Sequence, residues 1–370
     1  MYKPIRVLHI VGKMDRGGTE TMIMNIYRNI DRNKIQFDFL VHTTERCSFD
    51  EEITLLGGRI YSIPRLTLKS YIKYKNELIK FFEDHKEYNI IHSHISSISS
   101  ICLNIAKKSG IKNRIAHSHS TTSIVNIKEV AREILKLRLK NNANIYFACS
   151  KEAAISLFGK KYLRDNKVYI INNCINTKEF IFNPETRINM RKKLSLDECF
   201  VVGHVGRMDE GKNQKFAIEV FNKIHKKKNN SRLLLIGDGI LKEELKKQVK
   251  ELGIEKAVYF LGVRNDIANL LQAIDVFIFP SLFEGLPVSL VEAQASGVKI
   301  LASSCISKEV DIVNDGIEFL DLNLGSEIWA EKIMRFYEGY SRLDNYQKII
   351  DMGYDIAKKA EWIEEFYCNL

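Results

Sequence analysis

The chain has 370 residues, 45% hydrophobic and 28% charged, an ordinary globular make-up at a length beyond what one core fills, so two domains are expected. No run of about 18 apolar residues is present and Met1-Tyr2-Lys3-Pro4-Ile5-Arg6 leads directly into a strand, which argues against a membrane span or signal peptide and for a cytoplasmic protein. A formal charge of +10 suits anionic partners; nucleic acid is set aside because the lysine clusters fall on amphipathic helices without a nucleic-acid motif, leaving phosphorylated substrates and peripheral contact with an anionic membrane.

A strand is expected over 5–11 and a helix over 19–29. Between them, Val11-Gly12-Lys13-Met14-Asp15-Arg16-Gly17-Gly18-Thr19-Glu20 opens the helix, and Gly17 and Gly18 let backbone approach a ligand closely, with a plain tight turn as the alternative. The spacing is not Gly-x-Gly-x-x-Gly, which disfavours a nicotinamide-binding first turn. Further strands fit 37–41, 59–63, 90–93, 114–117, 145–148 and 168–171, with helical periodicity between most of them, so this half reads as an α/β domain with a parallel sheet.

Two His-x-His pairs, His92/His94 and His117/His119, end strands in this half. Period two sets both members of a pair on one strand face, a pattern compatible with a binuclear metal site. No acidic ligand directly follows either pair, and His117-Ser118-His119-Ser120-Thr121-Thr122 reads as a substrate loop, so no metal is expected. Seven cysteines without a Cys-x-x-Cys pair read as reduced, mostly buried thiols.

A polar stretch over 172–186 lacks periodicity and is taken as the linker, giving domains 1–180 and 181–353. The second domain repeats the alternation, with strands over 200–205, 232–236, 257–261, 276–279, 299–302 and 316–320. After its first strand, Gly206-Arg207-Met208-Asp209-Glu210-Gly211-Lys212-Asn213 places two cations where a diphosphate could be neutralised. Leu235-Ile236-Gly237-Asp238-Gly239 repeats the strand-to-glycine turn. Asp275-Val276-Phe277-Ile278-Phe279-Pro280 is a strand buried on both faces, followed by a loop and a short helix over 288–296 with Pro287 at its first position and Gly297 past its last turn. The N-terminus of that helix is a natural anion seat. Glu284 precedes it and Glu292 lies behind it, so the two carboxylates suit the two hydroxyl-rich ends of a nucleotide sugar; the plainer alternative has Glu284 in a loop and Glu292 facing solvent. A last helix covers 354–367.

These residues together resemble the retaining glycosyltransferases of family 4, capsular and exopolysaccharide branch, over nearly the whole chain. The resemblance rests on Gly17-Gly18-Thr19-Glu20, the His117-Ser118-His119 segment, Gly206 to Asn213, Ile236-Gly237-Asp238-Gly239 and above all the E-x7-E element from Glu284 to Glu292. It implies a GT-B architecture, two Rossmann-like domains with parallel sheets facing a central cleft. The first would serve the acceptor, with the terminal helix 354–370 packing back on it, and the second would bind the nucleotide-diphosphate sugar.

Carried over residue by residue, the resemblance gives Glu292 to the ribose, Glu284 to the donor sugar, and Arg207 and Lys212 to the diphosphate. Leu286, Pro287 and Val288 approach the same diphosphate, Gly18 brings backbone to it from the first domain, and Val263 and Arg264 border the base. The active-site histidine aligns best with His119, with His117 in competition. The segment Gly285-Leu286-Pro287 departs from the Phe-Gly pair of many relatives, and its proline removes one backbone donor.

The implied reaction is transfer of a hexose or N-acetylhexosamine, favouring a UDP-sugar, to a glycan or lipid-linked glycan, with retention and without a metal or other cofactor. His119 would orient the donor sugar and not act as a base. The rival readings are a sugar-nucleotide epimerase or hydrolase on the same fold, which needs an acid/base pair at the sugar carbon, and a non-catalytic sugar-nucleotide-binding partner in polysaccharide assembly.

Overall fold

The computed structural model describes residues 3–67, 69–119, 128–284 and 286–370, the side chains of 128–131 excepted. Ser120, Thr121 and Thr122 of the substrate-loop reading and Gly285 of the departure from the family pattern lie outside the described residues. The chain divides into unit 1, Met1–Cys174 with Ile356–Leu370, and unit 2, Ile175–Asp355.

Unit 1 is built on a seven-stranded sheet in the order β3-β2-β1-β4-β5-β6-β7: β1 Ile5–Val11, β2 Ile35–Val41, β3 Ile60–Ser62, β4 Ile90–Ser93, β5 Asn113–Ser118, β6 Ile145–Ala148 and β7 Val168–Ile170. Every pairing is parallel. The near-continuous apolar runs follow from burial on both faces. Val7 and Val11 of β1 join a core with the helices Gly18–Asn29 and Ile356–Cys368, whereas Leu8 and Ile10 join a second core with Tyr71–Asp84 and Ser99–Lys108.

Unit 2 repeats the plan with six parallel strands in the order β10-β9-β8-β11-β12-β13: β8 Phe200–Val205, β9 Ser231–Ile236, β10 Val258–Gly262, β11 Val276–Phe279, β12 Lys299–Ser303 and β13 Ile317–Leu320. Alternate residues again feed opposite cores, as Val201 and Val202 do. Both sheets are doubly wound, the α/β class expected of two Rossmann-like domains.

The boundaries differ from the expected 180/181 and 353/354. The stretch 172–186 holds the helix Thr177–Phe180 and the start of a second, Pro184–Lys193, which is capped by Asn183, whose side chain accepts from the Thr186 N–H. Arg187 and Arg191 both pair with Asp275 at the foot of β11, and Arg191 Nη1 donates to the Ala273 carbonyl at 2.9 Å, so this segment is fastened into unit 2. Phe180 and Tyr354 belong to the unit 2 core and Ile175 bridges to Asp355, which leaves the final helix to begin at Ile356. That helix packs in unit 1 through Ile356, Ala360, Ile363 and Tyr367. Among the described residues no helix is long and apolar enough to cross a membrane. None of the seven cysteines is in a disulfide, and Cys305 and Cys368 are exposed.

Candidate active site

In unit 2 the strand order reverses between β8 and β11, and the loops leaving those strands emerge side by side at the carboxyl edge, where open α/β sheets bind ligands. In the loop after β8, Asp209 accepts from the Lys212 N–H at 3.2 Å and from Arg207 Nε at 2.9 Å. Asn213 takes a left-handed φ of 54° and donates from Nδ2 to the Pro280 carbonyl at 3.1 Å, while Leu282 N–H donates to the Gly211 carbonyl at 2.9 Å. The two loops are thereby tied, and Lys212 Nζ forms an ion pair with Glu284 Oε1. The family resemblance gives these two side chains to different parts of the ligand, and the structure pairs them with each other, with Lys212 also 5.2 Å above the Phe279 ring.

Arg207 is held only loosely, its side chain 79% exposed beside Asp209. Behind the loop, buried His204 donates from Nδ1 to the Ile278 carbonyl at 2.9 Å and accepts at Nε2 from the Gln214 amide at 3.2 Å, which bridges the same two strands from below. Gly237 has a packing reason: its φ is 136°, and a Cβ there would stand 2.1 Å from the Gly206 carbonyl oxygen. The turn after β9 lies directly against the Arg207 loop.

The short helix spans Val288–Ala295, and Pro287, expected as its first residue, is its N-cap, because a ψ of 121° is extended. Leu290, Val291 and Ala293 turn into the core and leave half-buried Glu292 on another face. Among the described residues its carboxylate has no hydrogen-bond or ion-pair partner, and burial pushes it up to about 7. A half-buried carboxylate without a partner is the least expected group in this unit on stability grounds. Val263 is 60% exposed after the edge strand β10, and Arg264 is fixed to Asp266 by bonds of 2.8 and 2.6 Å.

In unit 1 the order reverses between β1 and β4. Gly17 is the N-cap of the first helix without a side-chain cap, and a Cβ at Gly18 would meet nothing within 4 Å, so packing does not demand glycine there. Both His-x-His pairs lie on one face, joined by a fifth imidazole that has no His-x-His partner in sequence: His9, singly placed on β1, whose register partner is His92. His9 Nδ1 meets His94 Nε2 at 3.0 Å and His94 Nδ1 meets His119 Nε2 at 2.8 Å; separately, His117 Nδ1 meets His92 Nε2 at 3.0 Å and His92 Nδ1 meets the Tyr367 hydroxyl at 2.6 Å. Burial drives all five imidazoles down, His9 and His119 to about 3, so they are neutral near pH 7. His117 is 1% exposed, whereas His119 is partly exposed at the carboxyl edge. Of the two competing histidines, His119 is the one with exposed surface.

Two family descriptions match the chain, "Glycosyltransferase Family 4" over residues 16–179 and "Glycosyl transferases group 1" over 186–353. Putative glycosyltransferase EpsF of Bacillus subtilis is 33% identical over 89% of this chain and 87% of its own. Capsular polysaccharide biosynthesis glycosyltransferase CapH of Staphylococcus aureus is 26% identical over 99% of both chains. An Escherichia coli UDP-Gal:α-D-GlcNAc-diphosphoundecaprenol α-1,3-galactosyltransferase is 26% identical over 84% of each. Among solved structures, Anabaena Alr3699/HepE in complex with UDP superimposes with a TM-score of 0.81 at 19% identity, covering 99% of this chain and 100% of that one. With both halves matched in order and a relative of this identity along most of its length, the chain belongs to the family 4 glycosyltransferases, enzymes of the GT-B fold.

Proposed function

We propose that the protein is a retaining glycosyltransferase that moves a hexose or N-acetylhexosamine from a UDP-sugar to a glycan or lipid-linked glycan during capsule or exopolysaccharide synthesis. The observation that carries the reading is the β8/β11 switch point, where the Lys212–Glu284 pair precedes a short helix that carries the half-buried Glu292, a carboxylate with no partner among the described residues. The UDP complex of the structural relative and the UDP-sugar and lipid-linked acceptor of the Escherichia coli relative support the donor and acceptor classes.

In this reading Glu292 accepts hydrogen bonds from the ribose, Val263 and Arg264 border the base, and Leu286, Pro287 and Val288 with the helix N-terminus receive the diphosphate. Lys212 and Arg207 stabilise negative charge as it departs, Glu284 holds the donor sugar, and Gly237 shapes the wall behind them. Unit 1 serves the acceptor side, with Gly17, Gly18 and His119 at its own carboxyl edge. The bond from the anomeric carbon to the diphosphate oxygen breaks, the acceptor oxygen bonds to that carbon on the same face, and its proton passes to the departing diphosphate. Such a course depends on positioning and on charge stabilisation, which Lys212, Arg207 and the helix dipole supply without a divalent metal. The charge of +10 supports peripheral contact with the anionic inner face of a membrane, where a lipid-linked acceptor would be met.

The test is thermal stabilisation by UDP-, GDP- and ADP-sugars followed by turnover of the best donor over acceptors. Stabilisation by a UDP-sugar and a product of unchanged anomeric configuration are expected. Turnover without an acceptor requirement would replace the reading with epimerisation or hydrolysis.

A further inference from the structure

The five-histidine face of unit 1 holds two overlapping triads, His9/His92/His94 and His94/His117/His119, whose ring nitrogens lie within 4.8 Å of one another. Their contacts are those of hydrogen bonds. Separations of 2.8 and 3.0 Å are shorter than the roughly 3.3 Å that tetrahedral zinc with its usual bonds to nitrogen imposes between ligands. Both nitrogens of His94 and both of His92 are already engaged, and neither triad contains a carboxylate to offset a buried dication.

A chain of neutral imidazoles has a direction, because each link needs one N–H and one bare nitrogen. In one direction His119 Nε2–H donates to His94 Nδ1, His94 Nε2–H donates to His9 Nδ1, and His9 is left with Nε2–H. In the other, His9 Nδ1–H donates to His94 Nε2, His94 Nδ1–H donates to His119 Nε2, and His119 keeps Nδ1–H for the open edge. The far end of the chain decides between them. His9 Nε2 is buried and has no partner among the described residues. Its ring lies 4.2 Å from that of Phe37 and borders a void of about 10 Å³ lined by Met22, Ile23, Ile26, Phe147 and Ile363 together with Tyr367 and the other buried imidazoles. No described group of that lining comes within hydrogen-bonding distance of His9 Nε2, and the space has barely the room for one water. A stranded N–H is the rarer and costlier defect in protein interiors, whereas a bare ring nitrogen strands no proton.

We propose that His9 and His94 are positioning residues that lock His119 in its Nδ1–H form, so that His119 presents a hydrogen-bond donor, not an acceptor, at the carboxyl edge of unit 1. The ligand group this selects is an oxygen acting as acceptor, such as a sugar hydroxyl or a phosphoryl oxygen. The inference deepens the reading that His119 serves the donor sugar and rests on it for that consequence. The direction of the chain stands on the structure alone. Among the described residues the groups facing the chain are the other imidazoles, Tyr367 and apolar side chains, none of them charged near pH 7.

The test is long-range proton–nitrogen NMR of the full chain labelled with ¹⁵N-histidine near pH 7, with His119 assigned by the signal lost in His119→Gln. The expected spectrum shows His119 protonated at Nδ1 and bare at Nε2. In His9→Phe the lock is broken, so the Nε2–H form of His119 appears and turnover with a UDP-sugar falls about 3- to 10-fold, the scale of one neutral hydrogen bond, with UDP affinity unchanged. His119 found as Nε2–H in the wild type would overturn the proposal, as would one equivalent of tightly held zinc or an unaltered His119 tautomer in His9→Phe. Should His9→Phe fail to fold, the wild-type spectrum still decides the direction. An Nδ1–H His119 together with full activity in His119→Gln would support the lock and refute the role of His119 in the donor site.

Discussion

Replacing Glu292 by glutamine separates what the carboxylate does for binding from what it does to stability. Burial raises its pKa from 4.5 to about 7, so the folded state holds this proton more tightly than the unfolded chain does. Between those two values stability falls as pH rises, and above 7 the full cost is present. The shift corresponds to about 3 kcal/mol as an upper bound, and solvent contact of a half-buried group reduces it to about 1–2 kcal/mol. Glu292→Gln abolishes that cost. At pH 8 the variant should therefore melt roughly 2–8 °C above wild type, by the usual 2–4 °C per kcal/mol for a unit of this size, while at pH 4, below the unfolded value, the two should nearly coincide. The same change removes a charged acceptor for the ribose, so UDP binding at pH 8 should weaken by about 1.5–3 kcal/mol, or 10- to 150-fold. Wild-type affinity should itself decline as pH drops through 7 and that of the variant should not. Scanning calorimetry and titration calorimetry with UDP at both pH values read the two effects. A melting temperature unmoved at pH 8, or a UDP affinity within twofold of wild type, would refute the reasoning.

Lys212 and Arg207 should differ in weight. Lys212→Met should lower kcat 10²- to 10³-fold, the range for losing one group that stabilises developing charge. Arg207→Ala, at a side chain 79% exposed, should cost about tenfold in kcat and under 0.5 kcal/mol in unfolding free energy; a larger kinetic loss at Arg207 than at Lys212 would reverse the assignment. The two glycine turns should also part company. Gly237→Ala forces a Cβ against the Gly206 carbonyl at a left-handed φ and should destabilise unit 2 by more than about 2 kcal/mol in denaturant melts. Gly18→Ala meets open space and should leave stability within about 0.5 kcal/mol while slowing transfer; a stability loss there would give Gly18 a packing role instead.

Strands were the most legible part of the chain, because a parallel strand buried on both faces needs a continuous apolar run and such runs declare themselves. β1, β4, β6, β8 and β11 coincide with their expected limits; β2, β5, β9 and β12 run one or two residues further where ladders continue past the apolar stretch, β3, β7 and β13 stop or start a residue short, and β10 slides by one. The linker misled for a physical reason: Asn183, Pro184 and the following charges look like loop residues, yet they are a side-chain cap, a first-turn proline and two arginines whose partner, Asp275, is about ninety residues away. The candidate site shows the same division. Motif residues could be listed from local spacing, but the Lys212–Glu284 pair depends on two loops meeting at a strand reversal, which no local pattern encodes. His9 escaped for want of a neighbour in sequence; its neighbours are across the sheet, and only the register of β1 on β4 reveals them.

The central claim is that this chain transfers a sugar from a nucleotide diphosphate with its anomeric configuration kept. NMR of the first-formed product from an α-linked UDP-sugar, with the anomeric coupling followed as the acceptor is glycosylated, tests it most directly. An α-glycoside that forms only when acceptor is present is the predicted result, and a β-glycoside or free sugar as the sole product would contradict the account.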